Sequence, residues 1–115
     1  MQIPKPTEAD RTWFHSMVPD DPRVGVKPMF GNLGAFVNGN MFMGLFGSDV
    51  GVKLSPADAA ALLEIDGAGH FGPAERPMSG YVALPAAFRG SPEAELWVAR
   101  ALEHVGAMPA KQAKR

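Results

Sequence analysis

Three histidines, two short carboxylate pairs, serines beside turns and a glycine-rich loop are the residues of this 115-residue chain whose types could carry chemistry. His15, His70 and His104 stand in different predicted elements and have no ligand spacing such as H-x-x-x-H, so they assemble no metal site. A structural or solvated role is the commoner one for each. His70, inside Gly67-Ala68-Gly69-His70-Phe71-Gly72, is the best placed to act, because loops hold sites and imidazole titrates near neutrality. A ligand-binding or catalytic protein would use the Gly67 to Arg76 loop, with a deep pocket in which His70 converges with Arg76 or Tyr81.

The remaining chemistry reads more simply as structure. Asp20-Asp21 and Glu64-x-Asp66 lack a partner base and fit solvated helix ends. Ser48, Ser55, Ser79 and Ser91 lack a G-x-S-x-G setting and fit turns and caps. Gly31-Asn32-Leu33-Gly34 is followed by a strand rather than a helix, which argues against a phosphate cradle. The chain has no cysteine, which excludes disulfides, thiolate metal ligands and thiol nucleophiles. No catalytic constellation emerges, and the expectation is a non-enzyme without metal or cofactor.

The elements that must position these residues are legible from caps and periodicity. Thr7 can cap an N-terminal helix with Trp13, Phe14, Met17 and Val18 on one stripe, ended by Pro19 and the Asp20-Asp21-Pro22 turn. Three antiparallel strands follow between Lys27 and Lys53, divided at Asn38-Gly39 and Gly47-Ser48. Ser55-Pro56-Ala57-Asp58 opens a middle helix that runs to about Ile65. Residues 66 to 77 read as a loop with a short extended piece at His70-Phe71, and Met78 to Leu84 as a further strand. Ser91-Pro92-Glu93 starts the C-terminal helix, whose apolar stripe is Ala94, Trp97, Val98, Ala101, Leu102 and Val105. The predicted fold is α+β: an antiparallel sheet of about four to five strands with N-terminal, middle and C-terminal helices. One domain over residues 1–108 and a basic, disordered tail over 109–115 complete the layout.

With two-residue turns, counting pairs Leu45 with Val50, Met43 with Val52, Met41 with Leu54, Phe36 with Met41 and Ala35 with Phe42. One face then holds Phe36, Met41, Met43, Leu45, Val50, Val52 and Leu54 and should meet the helices. The other holds Leu33, Ala35, Val37, Phe42, Gly44, Phe46, Gly51 and Lys53, and is far from polar. Either a terminal helix covers each face, or a partner covers the second one, where Gly44 opposite Gly51 leaves a trough. A one-residue bulge would reverse these assignments locally.

Met29-Phe30-Gly31, Val37-Asn38-Gly39 with Met41-Phe42, Val52-Lys53, Pro77-Met78-Ser79-Gly80-Tyr81 with Leu84-Pro85, and Leu96-Trp97 with Ala101 occur in an order and spacing that resemble the TfoX N-terminal domain family. Asn32 replaces a second glycine common after Met-Phe-Gly, and Gly80 stands where a bulkier residue often precedes the tyrosine. The resemblance implies an α+β fold, a bacterial regulatory setting and no catalytic residues. Full-length members regulate DNA-uptake competence and carry a helical C-terminal domain, which the 115 residues do not reach; a free-standing N-terminal domain is the expectation.

The leading functional expectation is therefore a non-enzymatic interaction or regulatory module, homodimeric, that binds a protein partner through Leu33, Ala35, Val37, Phe42, Gly44, Phe46, Gly51 and Lys53. The net charge of -1 gives no general attraction to nucleic acid or anionic lipid. A weak nucleic-acid surface would rest on Lys53 beside Phe42, Lys27 and the tail residues Lys111, Lys114 and Arg115. No apolar run is long enough to span a bilayer, and a cytoplasmic location is expected.

Overall fold

A computed structural model describes residues 4–29, 31–73 and 75–110. Helix α1 (Glu8–Met17) starts at Thr7, whose hydroxyl accepts from the Asp10 amide while the Asp10 carboxylate accepts from the Thr7 amide. Strands β1 (Val24–Met29), β2 (Asn32–Val37), β3 (Asn40–Phe46) and β4 (Asp49–Lys53) follow as hairpins, then α2 (Pro56–Leu63), β5 (Gly69–His70), β6 (Tyr81–Ala83), a single 3-10 turn at Ala86–Phe88, and α3 (Pro92–Gly106). Ser55 and Ser91 cap α2 and α3, each with proline in the first turn.

All the strands form one antiparallel sheet in the order β1-β2-β3-β4-β6-β5. Six strands exceed the four to five expected. The unforeseen one is β1, where Gly25 and Pro28 argue against a strand by propensity; proline and Lys27 are nonetheless usual features of an exposed sheet edge. Asn38-Gly39 turns the β2–β3 hairpin with both residues at positive φ, 53° and 76°, as the sequence suggests.

Both terminal helices pack on the same face. Helix α3 lies across β2, β3 and β4, α1 packs against α3 and β3, and α2 sits at β6. The arrangement with one helix on each face does not occur. The core between them contains Trp13, Phe14, Trp97, Val98 and Val105 from the helices and Ala35, Val37, Met43, Leu45, Val50, Val52 and Val82 from the sheet. Asn38 Nδ2 donates to Gly106 O at 3.1 Å, and Asn40 Nδ2 to Pro109 O at 3.1 Å, which ties the end of α3 to the hairpin. Pro109 is thus held by the domain, whereas Lys111, Lys114 and Arg115 lie outside the described residues.

Asp10 fastens α1 to the 3-10 turn as well as capping it. Its carboxylate meets Arg89 Nη1 at 2.9 Å, and the Arg89 guanidinium stacks over the Trp13 ring at 4.8 Å. The Thr7 amide above all, with the Thr7 hydroxyl and Arg89, outweighs desolvation and holds the Asp10 carboxyl below its ordinary 3.8. A depressed carboxyl stabilises the fold above the unfolded-state value and loses that contribution as pH falls through the folded one. Asp10→Asn is accordingly expected to cost about 1 kcal/mol at pH 7. Urea titrations at pH 7 and pH 3 check this: the gap between wild type and variant should shrink at the lower pH.

Candidate functional site

The sheet face turned away from the helices is set by a bulge. Phe36 pairs with Met41, yet Ala35 pairs with Met43, so Phe42 is left without a partner on β2. Relative to a regular hairpin the slip turns β2 over against β3: Met43 and Leu45 keep the helix side, and Ala35 and Leu33 now pair with them. Ala35, Val37 and Phe42 are fully buried on the helix side, and Leu33, opposite Leu45, packs against the same core. Phe36 and Met41 turn to the far face, where they are half-buried with Met29 around Gly34. The expectation that Ala35, Val37 and Phe42 belong to the outer face is therefore corrected; half-buried Leu33 packs against the helix-side core and also borders the cleft on the outer side, and Gly44, Phe46, Gly51 and Lys53 do lie on the outer face. The β3–β4 register is as counted for Leu45 with Val50 and Met43 with Val52. The ladder does not continue to a Met41–Leu54 pair: Leu54 joins the core, and Met41 O accepts a hydrogen bond from the Tyr81 hydroxyl at 2.8 Å.

The Gly44–Gly51 trough is filled from within the chain. Phe71 follows β5 and lays its ring on Gly51, where a Cβ would overlap it, and at 3.4 Å from the Cβ position of Gly44. It is 2 % exposed although it stands outside the helix-side core. Phe46 meets it edge-on at 6.2 Å, and Tyr81 lies tilted against it at 6.0 Å. The Met78 amide donates to Phe71 O at 2.9 Å, and the Arg76 amide to Pro73 O at 3.0 Å, so the segment from Phe71 to Met78 is a closed loop standing on the sheet.

Between this loop and the strands opens a cleft of about 740 Å³. Its floor is Met29, Leu33, Met41, Gly44, Leu45 and Phe46, with Asn32 at one end; its wall is Phe71, Pro73, Arg76, Pro77, Met78, Ser79 and Tyr81. A mostly apolar concavity of this size with few polar groups is the usual form of a small-molecule site. Two of its polar side chains are already engaged. The Tyr81 hydroxyl is spent on Met41 O, and buried Asn32 donates to Pro4 O at 3.1 Å while accepting from the Gly47 amide at 2.9 Å. Asn32, a departure from the family pattern, thus pins the β3–β4 turn and the segment at Pro4.

Of the loop residues singled out from sequence, the structure brings Arg76 and Tyr81 to the cleft and leaves His70 out of its lining, exposed on β5. Convergence of His70 with Arg76 or Tyr81 on this cleft does not occur. Phe71, Met78, Met41 and Met29 line the cleft as well, and their residue types alone do not mark them as site residues. The cross-strand Gly44–Gly51 pair was the available signal, since a two-glycine gap in a sheet calls for an aromatic ring to cover it. Lys53 lies over Tyr81 at 5.6 Å rather than beside Phe42, and Lys27 over Phe36 at 5.3 Å. Asp21 is no acid pair with Asp20; Arg23 grips it through two side-chain hydrogen bonds and its amide, which draws the carboxyl down to about 2. Among the described residues no three His, Cys, Asp or Glu side chains come together as metal donors.

Burial pushes the Tyr81 phenol up to about 12. The neutral form is the one the fold favours, so its contribution is intact below pH 10 and fades as pH rises toward 12. Tyr81 is the only tyrosine in the chain, so absorbance at 295 nm reports it alone. The native protein should titrate near pH 12 and the urea-unfolded chain near pH 10; a native midpoint near 10 would contradict the buried placement.

Among curated proteins no match to the chain was found, nor among solved structures. No helix among the described residues is long and apolar enough to cross a membrane. The model of the TfoX N-terminal domain matches residues 19–105. The matched span covers the whole sheet, the Phe71 loop and nearly all of α3, and the chain belongs to the TfoX N-terminal domain family.

Proposed function

We propose that this domain is a non-catalytic recognition module of a regulator-like protein and takes up an apolar group in the cleft beneath the Phe71–Met78 loop. The lining carries the reading: methionine, phenylalanine and proline surround the space, while Tyr81 and Asn32 are committed to structural hydrogen bonds. Groups so committed hold a shape rather than move protons. Filling the cleft would remove half-buried Met29, Met41 and Phe46 surface from water, at roughly 25 cal/mol for each Å² of apolar area. Membership in the TfoX N-terminal domain family supports a regulatory setting.

Gly44→Val tests this, because its Cβ would stand at ordinary contact distance, 3.4 Å, from Met41 and Phe71 and its methyls would occupy the floor. An environment-sensitive apolar dye should brighten on the wild type and at least several-fold less on a folded Gly44→Val. Equal brightening on both would remove the cleft as the binding surface.

A homodimer across the same face is a second reading, favoured by the half-buried cluster of Met29, Phe36 and Met41 around Gly34. Light scattering after size exclusion checks it. A dimer that Phe36→Glu converts to monomer would support it, and a strict monomer at high micromolar concentration would end it.

A further inference from the structure

Arg76 is the only charged side chain in the cleft lining among the described residues. It is exposed and makes no ion pair within those residues, in contrast to Arg11, Arg23, Arg89 and Arg100, each of which faces a carboxylate. Neighbouring Glu75 is exposed and does not line the cleft. Ser79 is the other lining side chain with an uncommitted polar group, since it makes no side-chain hydrogen bond among the described residues. An apolar space with one guanidinium and one hydroxyl sorts its occupants by charge. A neutral apolar body would leave the cation unanswered, while a dianion would find a single positive group.

The interior also limits shape. Met29, Met41 and Met78 are unbranched and adapt to irregular or flexible chains better than branched side chains do. The volume of about 740 Å³ lies within the range of small-molecule pockets, and the loop above it is closed by its own hydrogen bonds, which suits a short chain more than a long one.

Resting on the recognition reading above, we infer that the cleft binds a small monoanionic amphiphile, an acyl or aryl-alkyl carboxylate. Its apolar body lies against Met41, Phe46 and Met78, and its carboxylate pairs with the Arg76 guanidinium, with the Ser79 hydroxyl as a second donor. Guanidinium and carboxylate are matched in geometry, and such charge-assisted hydrogen bonds are stronger than neutral ones.

Octanoate and 1-octanol share a chain and differ in the head group, so calorimetric titration of both into wild type and Arg76→Gln separates the terms. Methionine methyl NMR on the same samples reports whether Met41 and Met78 sense the guest. The expected result is octanoate at least about tenfold tighter than octanol, with Arg76→Gln weakening octanoate alone to the level of the alcohol. Equal affinities with shifted methyls, or octanoate binding untouched by Arg76→Gln, would overturn the carboxylate proposal and leave the apolar cleft standing. Silent methyls with both compounds would overturn the two together, and methyls already buried in a protein dimer would replace the small guest with a second copy of the chain.

Discussion

Between Ala35 and Phe36 the ladder from β2 to β3 slips by one residue, and Phe42 takes up the slack. That slip decides what each face of the sheet is made of. It sends the Phe42 ring into the helix-side core, where it is fully buried, and turns Met41 and Phe36 to the side the helices leave free. A regular hairpin would have put Phe42 outside and Met41 inside, costing the core a large aromatic side chain worth roughly 1.5 to 3 kcal/mol. The cleft floor and the core composition are therefore two results of one unpaired residue.

Much of the fold is readable without coordinates because its signals are local. Thr7, Ser55 and Ser91 mark three helix starts through hydroxyls that answer free backbone amides, and Asn38-Gly39 marks a turn that demands positive φ. The family motifs lie in those same elements. What stays hidden depends on distant partners. The bulge leaves no mark on β2 and β3, since apolar residues stand on both sides of the strands and either register buries something. Strand β1 carries Pro28 and Gly25, which are tolerable only because nothing pairs with its outer edge among the described residues.

The same contrast governs the site. Gly44 and Gly51 are foreseeable as a cross-strand pair, because register alone places them together. The ring that fills their gap comes from a loop about twenty residues further along, and no periodicity links Phe71 to either glycine. Arg76 and Tyr81 reach the cleft for the same reason, one from the loop and one from β6, while His70 is carried away from it on a strand of only two residues. Residue chemistry points to His70, Arg76 and Tyr81 alike; backbone geometry brings only the last two to the cleft.

The seat of Phe71 on Gly51 has a consequence for how this chain can vary. Any side chain at position 51 would occupy the space of the ring, so a mutation there is tolerated only if position 71 becomes smaller, and a smaller residue at 71 leaves a hole that favours refilling at 51. The two positions form a single heritable unit despite their separation. Among relatives they should drift as a pair, and that correlation would mark which family members keep an open cleft and which have closed it.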